Sequence, residues 1–281
     1  MAEVSGVKFD TIDEAPAASS TCRYPGSRLL FRGPKRPLTG RYIAFVGGTE
    51  TYGKMIEKPF PALVEQKLVT PCPNFGVPNA SVDVFMSEEL VLTACSNSSM
   101  NVVQITGAQN LTNRFYSVHP RRNDRFVQAR SVLRALYPEV DFADYCFTRH
   151  LLTDLHAICP DRFEIVRTEL QQAWSARMRS FLAEIGAHTQ LLWFSDHLPS
   201  DSRAELDPFA GDPLFVTRRM IDGLRPLVQG VTMVQPSAAA QALPPPGAAG
   251  GPGEAAHVPM AAAAHHEAAE ALIEAIRSRF G

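Results

Sequence analysis

The chain has little of several features that would assign it to a specialised class. Among 281 residues the formal net charge is only −2, so general binding to nucleic acid or to a membrane surface is not expected. No apolar run approaches the roughly 20 residues that a membrane helix needs. The first 20 residues lack the basic start and the apolar core of a signal peptide. These absences together indicate a cytoplasmic globular protein without a nucleic-acid or membrane partner.

Cysteine is also sparse, with 5 residues scattered along the chain. An odd, scattered set suits reduced thiols in a cytoplasm better than a disulfide framework. Cys146 and His150 would share a helix face, and His156 and Cys159 follow them, but the short knuckle spacings of zinc sites are missing. The sequence therefore predicts no metal site, and it contains no motif for a resident cofactor.

The domain organisation follows from changes in composition. Residues 1–20 are acidic and rich in Ala and Ser, and predict a disordered arm. Residues 21–235 predict one α/β domain with a helical insertion at about 122–185. Residues 236–259 consist largely of Ala, Gly and Pro and predict a flexible loop. Residues 260–281 predict a C-terminal helix that packs back on the α/β domain.

Apolar strands alternate with helical patterns along this domain. The predicted strands are 41–46, 72–75, 102–106, 190–194 and 228–234. The predicted helices are 60–68, 81–95 with Ser81 as N-cap, 124–136, 141–158, 161–185, 213–224 and 262–280. Such alternation is typical of a parallel, doubly wound sheet. We therefore predict a three-layer α/β/α sandwich with a parallel sheet.

A glycine-rich turn follows the first predicted strand of this sheet. Its sequence is Gly47-Gly48-Thr49-Glu50-Thr51-Tyr52-Gly53, directly after Phe45-Val46. A strand that ends in such a turn and leads into a helix presents backbone N–H groups and a short polar side chain to a ligand. The turn therefore predicts a site at the carboxyl end of the strand.

This turn and three later segments resemble the ordered blocks of the SGNH/GDSL hydrolase family. The serine position of the family's Gly-Asp-Ser block holds Thr49, and the aspartate position holds Gly48. The resemblance implies that the parallel sheet is flavodoxin-like, of the SGNH type, and that Thr49 is the nucleophile. A threonine hydroxyl can attack if a base activates it, although its methyl group restricts χ1 and crowds the attack.

The other blocks of the family imply further roles. Gly76, in Asn74-Phe75-Gly76, matches a glycine whose N–H helps to bind the oxyanion, and Gln109 or Asn110 matches an asparagine whose amide does the same. The family's Asp-x-x-His block has no clean match before the last helix. His265 and His266 stand there, and we prefer His266 as the base; Asp196-His197 is an alternative.

The whole chain also looks like an uncharacterised bacterial family with an SGNH-like core. The segments that carry this resemblance are Tyr24-Pro25-Gly26-Ser27-Arg28-Leu29-Leu30-Phe31-Arg32-Gly33-Pro34 and His119-Pro120-Arg121-Arg122-Asn123-Asp124-Arg125-Phe126. Membership in that family implies no particular activity.

A basic stretch follows the third predicted strand, where a strand end should face the site. Guanidinium groups there would bind phosphate, sulfate or carboxylate with paired hydrogen bonds. The predicted substrate-binding residues are Gly48, Glu50, Asn79, Arg114, His119, Arg121, Arg122 and Arg125.

The leading functional prediction is an SGNH-like esterase or acyltransferase acting on an acylated anionic or carbohydrate substrate. The alternative is a catalytically inactive SGNH-like domain that binds an anionic ligand or a protein partner. The loss of the serine, the adjacent aspartate and a clear Asp-x-x-His motivates this alternative. The sequence gives no indication of the oligomeric state.

Overall fold

A computed structural model describes residues 20–201, 208–209, 211–241 and 259–280 of the chain. Apart from residue 20, the arm predicted at 1–20 lies outside the described residues. The same holds for 242–258 of the loop predicted at 236–259.

The described residues form eight strands and ten α-helices, together with two short 3-10 turns. The strands are β1 (Thr21–Cys22), β2 (Phe31–Arg32), β3 (Ile43–Val46), β4 (Met100–Gln104), β5 (Tyr116–His119), β6 (Arg122–Ala129), β7 (Thr189–Phe194) and β8 (Gly230–Val234). The helices are α1 (Thr49–Tyr52), α2 (Phe60–Leu68), α3 (Val82–Met86), α4 (Glu89–Ser96), α5 (Ser131–Leu136), α6 (Thr148–Ile158), α7 (Pro160–Ile185), α8 (Arg218–Asp222), α9 (Ala238–Gln241) and α10 (Ala262–Phe280).

The central sheet is parallel and contains four strands in the order β3-β4-β7-β8. The predicted strand at 72–75 is reduced to a parallel bridge between Asn74 and Phe45, on the outer side of β3. Counted with this segment, the spatial order is 2-1-3-4-5, the order of flavodoxin-like sheets. The predicted fold class is therefore confirmed.

Alternate residues of each central strand lie in two different cores, one on each face of the sheet. Val46, Val103 and Trp193 belong to the larger core, which α3, α4, α6 and α7 complete. Phe45 and Phe194 belong to the other core, which α2, α9 and α10 cover. Both faces of the sheet are covered, which explains why its strands are mostly apolar.

The longest helix, α7, has the predicted bounds within one residue. Its buried positions, including Phe163, Leu170, Trp174 and Leu182, recur at three- and four-residue intervals and face the larger core. Pro160 occupies the first turn, where its missing N–H costs little, and Gly186 follows the last residue. Helices α2 and α10 also have the predicted bounds, whereas α6 fills only the second half of 141–158.

Three further predicted helices are wrong in extent or kind. Residues 124–129 belong to β6, which pairs with β5 in an antiparallel hairpin, and the helix is limited to α5 at 131–136. The insertion predicted at 122–185 thus begins with a strand. The predicted helix 81–95 is broken between α3 and α4. Ser81 is the N-cap residue of α3, as predicted, but its side chain makes no capping hydrogen bond; its hydroxyl donates to Asn123 Oδ1 (2.7 Å). The helix predicted at 213–224 is reduced to α8.

The start of the predicted loop at 236–259 is ordered as well. Helix α9 covers Ala238–Gln241, and the Ser237 hydroxyl and N–H both donate to the Glu267 carboxylate of α10, at 2.6 and 2.8 Å. These two hydrogen bonds lower the pKa of Glu267. Within the described residues, none of the helices combines the length and apolar character that crossing a bilayer would require.

Candidate functional site

A cleft of about 70 Å³ lies where β3 and β4 end. The connections after these two neighbouring strands lead in opposite directions along the sheet, and open α/β sheets bind ligands at such a point. The cleft is lined by Gly48, Thr49, Glu50, Asn79, Ala80, Gln104, Ile105, Thr106, Gly107, Gln109, Asn110, Phe194, Asp212 and Pro213. Among the predicted site residues, Gly48, Thr49, Glu50, Asn79, Gln109 and Asn110 lie together here.

The turn between β3 and α1 is held by a side chain from β4. Gln104 Oε1 accepts hydrogen bonds from Gly48 N (3.1 Å), Thr51 N (3.0 Å) and Thr51 Oγ1 (2.6 Å). It supplies the acceptor that a serine or aspartate N-cap would provide, because the N-cap residue is Gly48. A Cβ on Gly47 would lie 2.2 Å from Thr51 Oγ1, so the close approach requires glycine.

The other end of α1 is held by Arg32. Its guanidinium donates to the carbonyl oxygens of Gly53 (2.8 Å), Ile56 (2.7 Å) and Glu57 (3.1 Å). Burial of this side chain lowers its pKa. Gly53 ends the helix in the left-handed conformation, with φ 69°. The four-residue helix that begins with Thr49 is therefore fixed at both ends by side chains from outside it.

The Thr49 hydroxyl contacts the loop after the Asn74 bridge. Thr49 Oγ1 lies 3.1 Å from the backbone N of Asn79, which donates to it, and 3.2 Å from Asn79 Oδ1. Asn79 has a positive φ of 57°, which turns its N–H toward the hydroxyl, and its Nδ2 donates to Asp124 Oδ2 (3.1 Å). The Thr49 N–H itself has no acceptor in the described part of the chain. Two backbone N–H groups thus flank the hydroxyl.

The two predicted amide donors are both anchored. Asn110 Nδ2 donates to the Asn79 carbonyl (3.2 Å), and its Oδ1 accepts from Thr148 Oγ1 (2.6 Å). Gln109 Nε2 donates to Asp212 Oδ1 (3.0 Å), and Arg149 binds the other oxygen of Asp212 (2.8 Å). Each amide nitrogen keeps one further N–H group. Both side chains are therefore held at the cleft, and the choice between them stays open.

Gly76 does not line the cleft. Its N–H donates to Asn74 Oδ1 (2.8 Å), and a Cβ on it would lie 2.3 Å from Tyr52 N, so this glycine lets the loop pack against α1. The N–H near the Thr49 hydroxyl belongs to Asn79, three residues later. Sequence reasoning named Asn79 only as a substrate-binding residue; its tolerance of the left-handed conformation was the available signal for this role.

His265 is buried behind the cleft in contact with Glu50. Its ring packs against Phe60 and Phe194, and its Nδ1 accepts from Phe60 N (3.2 Å), so the ring proton lies on Nε2. That nitrogen lies 3.5 Å from Glu50 Oε2, which also accepts from Met260 N (3.1 Å). His265 thus joins the start of α10 to the residue after Thr49.

The preferred base, His266, lies on the exposed side of α10 and does not line the cleft. The alternative, His197, lines a second, larger cleft of about 930 Å³, which adjoins the first at Pro213. Its Nδ1 lies 2.7 Å from Asp196 Oδ1 and 2.9 Å from Ser195 Oγ. Among the described residues no histidine lines the cleft at Thr49. The sequence nevertheless contains Glu254-Ala-Ala-His257, the Asp-x-x-His spacing with glutamate for aspartate, outside the described residues.

None of the predicted basic residues lines the cleft. Arg114 pairs with Glu169, and Arg125 stacks on Phe147 with its guanidinium carbon 3.9 Å from the ring centroid. His119 Nδ1 accepts from Arg121 N and Arg122 N, both at 3.2 Å, which closes the turn between β5 and β6. The side chains of both arginines are exposed.

The hairpin of β5 and β6 is basic, with Arg121 and Arg122 at its turn and Arg125 on β6. This basic hairpin nevertheless adjoins the site. The contact between Asp124 and Asn79 joins β6 to the residue that touches the Thr49 hydroxyl, and Asn123 Oδ1 accepts from the N–H and the hydroxyl of Ser81. The hairpin therefore borders the cleft through two hydrogen-bonded contacts.

Comparisons with known proteins place the chain in one family. A family model described as "Domain of unknown function (DUF6473)" matches residues 7–280. No curated protein matches the chain in sequence.

Several solved structures are similar in shape at low sequence identity. A carbohydrate esterase family 2 enzyme with a carbohydrate binding domain from Corynascus thermopiles (Myceliophthora fergusii) is 12% identical, with a TM-score of 0.45 over 89% of this chain and 69% of that one. The lipase Lip_vut3 from a goat rumen metagenome is 13% identical, with a TM-score of 0.37 over 84% and 97%. A protein described as a candidate SGNH hydrolase from Slackia heliotrinireducens is 12% identical, with a TM-score of 0.38 over 85% and 100%. Scores below 0.5 give no support to any particular activity.

Proposed function

The chain belongs to the DUF6473 family, and we propose that it is a cytoplasmic SGNH-type esterase or acyltransferase acting on an acylated anionic or carbohydrate substrate. One observation carries the proposal: the Thr49 hydroxyl, the N–H groups of Thr49 and Asn79, and the amides of Gln109 and Asn110 converge on one cleft. Five free cysteines are consistent with a reducing compartment.

The proposed chemistry begins with attack of Thr49 Oγ1 on the acyl carbonyl carbon while a base takes the hydroxyl proton. The carbonyl oxygen becomes an oxyanion, which the N–H groups of Thr49 and Asn79 and an amide of Gln109 or Asn110 bind. The intermediate then expels the alcohol, which receives the proton from the base. Water or an acceptor alcohol cleaves the resulting acyl-threonine ester in a second, equivalent step.

The base is proposed to be a histidine. His266 is the choice from sequence order, and its exposed position on α10 weighs against it. His265 is engaged with Phe60 N through the nitrogen that would have to accept a proton. The sequence spacing of Glu254 and His257 favours His257, only three residues before Met260, whose N–H is bound to Glu50.

The basic hairpin is proposed to bind the anionic part of the substrate. Arg121 and Arg122 are exposed at its turn, and Asp124 joins it to Asn79. Guanidinium groups at the border of the cleft would bind a carboxylate, phosphate or sulfate group of the molecule that carries the acyl ester.

The proposal is tested by hydrolysis of short acyl esters by the wild type, Thr49→Ala and Thr49→Ser. We expect Thr49→Ala to abolish turnover above the uncatalysed rate and Thr49→Ser to retain it, because serine keeps the hydroxyl and removes the crowding methyl. Thr168→Ala is the matched control, since Thr168 is exposed on α7 and its hydroxyl donates to the Glu164 carbonyl of its own helix. Equal rates for wild type and Thr49→Ala would remove Thr49 from the mechanism.

The base is identified by the same assay on single alanine variants of His197, His257 and His266. One of these is expected to lose as much activity as Thr49→Ala, because both residues act on the same proton. If all three variants retain wild-type rates, the histidine mechanism is wrong.

A second candidate function is a binding domain without catalysis. It is favoured by the finding that no histidine of the described residues lines the cleft. This alternative predicts that phosphorylated or sulfated metabolites raise the melting temperature while no ester is hydrolysed, and that Arg121→Ala reduces the shift. Ester hydrolysis that depends on Thr49 would exclude it.

A further inference from the structure

The end of β4 presents a buried amide to the cleft, and we propose that Gln104 is a ligand-binding residue. Its Nε2 group donates a hydrogen bond to an oxygen atom of the ligand, either a carboxylate oxygen or the carbonyl oxygen of an acyl group. The acyl carbonyl as a ligand rests on the proposed function, whereas the binding of a carboxylate does not.

The orientation of the Gln104 amide follows from its partners. Oε1 accepts from two backbone N–H groups, of Gly48 and Thr51, which can only donate. An amide turned by 180° would place its NH₂ group against these two donors. The oxygen is therefore fixed on the turn, and the nitrogen points away from it.

The nitrogen of this amide has no acceptor in the part of the chain that the structure describes. Gln104 is only 9% exposed, and the side chain lines the cleft. The two carboxylates that also line the cleft have other partners, since Glu50 binds Met260 N and Asp212 binds Gln109 and Arg149. The NH₂ group of Gln104 is thus available at the cleft as a hydrogen-bond donor to an oxygen atom of a ligand.

The neighbouring groups favour the same kind of ligand atom. The Thr49 N–H, which has no acceptor among the described residues, borders the same cleft, so hydrogen-bond donors face it from β4 and from α1. A cleft of about 70 Å³ has room for a group of only a few heavy atoms. Acetate, which combines this size with oxygen acceptors, is therefore the probe of choice.

The first test compares acetate binding by the wild type, Gln104→Glu and Gln172→Glu, measured as the rise in melting temperature with acetate concentration, with chloride as the salt control. The glutamate at 104 keeps an acceptor for the turn but replaces the NH₂ donor by an oxygen. We expect Gln104→Glu to fold and to lose acetate binding by about tenfold or more. Gln172→Glu adds the same charge on the exposed side of α7 and should bind as the wild type does.

The second test separates hydrogen bonding from charge repulsion and does not require the variant to fold. In ¹H–¹⁵N spectra of the wild type, acetate should move the Gln104 side-chain NH₂ signals downfield, whereas chloride should leave them in place. Unmoved signals at saturating acetate, unaltered acetate binding by Gln104→Glu, or the lack of any acetate binding by the wild type would each overturn the inference.

Failure of this inference and failure of the proposed function are distinguishable. If acetate moves the Gln104 signals but no ester is hydrolysed, the binding role stands and the esterase proposal fails. If esters are hydrolysed through Thr49 while the Gln104 signals do not respond to acetate, the esterase proposal stands and Gln104 only holds the turn.

Discussion

Replacement of Arg32 by methionine should destabilise the protein and reduce any activity that depends on Thr49. The guanidinium donates to three carbonyl oxygens at and beyond the end of α1, and two of them belong to the buried residues Gly53 and Ile56. A hydrogen bond from a charged group contributes about 1.5–3 kcal/mol. Loss of two such bonds, offset in part by relief of the buried charge, gives an expected cost of about 2–4 kcal/mol.

The assay for this change is thermal and urea unfolding. At about 2–4 °C for each kcal/mol in a domain of this size, the melting temperature should fall by roughly 4–16 °C. Arg28→Met is the matched control, because Arg28 lies exposed on the same segment and should shift the melting temperature by less than about 2 °C. A similarly small shift for Arg32→Met would show that the backbone around Gly53 is stable without the three hydrogen bonds from Arg32.

Two further changes test the turn and the contact of α10. Gly47→Ala should prevent the native turn from forming, because the added Cβ would lie 2.2 Å from Thr51 Oγ1. Thermal unfolding of the purified variant, followed by circular dichroism, would show the lower stability. A variant as stable as the wild type would contradict the close approach. Ser237→Ala should raise the pKa of Glu267, which two hydrogen bonds from Ser237 now lower. A lowered carboxyl pKa stabilises the fold above the unfolded-state pKa, and this contribution is lost as the pH falls through the folded-state value. An NMR pH titration that finds the same Glu267 pKa in both proteins would refute the contribution of the hydroxyl.

Local signals were sufficient for the long helices and for the central strands. The bounds of α7 follow from a repeating apolar face, a proline at its start and a glycine after its end, all within the segment itself. The strands of the sheet are short apolar runs that end at glycines or polar residues. The alternation with helices predicts that these strands run parallel.

The hairpin of β5 and β6 was missed because the apolar residues of β6 have a helical spacing, and their pairing with β5 is not visible in that spacing. Phe126, Ala129 and Leu133 are spaced at three and four residues, which is typical of a helix. In the structure Phe126 pairs with Val118 across an irregular antiparallel ladder that contains bulges. Pairing between strands outweighs the helical period here, and a single-segment pattern contains no information about it.

The site was predicted only in part, because some of its contacts also join segments that are separate in the sequence. Thr49 could be located because the glycine-rich turn is a contiguous motif, whereas the contact of Asn79 N–H with its hydroxyl depends on the path of a loop. Gln104 gave no signal, since a glutamine at the end of an apolar strand is unremarkable in sequence. Its function in the turn appears only when β3 and β4 lie side by side.

The dependence of the Thr49 turn on Gln104 has a consequence for biosynthesis. The acceptor that orders this turn lies 56 residues further along the polypeptide. When the nascent chain has emerged only as far as α4, the turn at Thr49 still lacks its Gln104 acceptor, and β3 still lacks its neighbouring strand β4. Any reactive geometry at the threonine is therefore withheld until β4 has left the ribosome and joined the sheet.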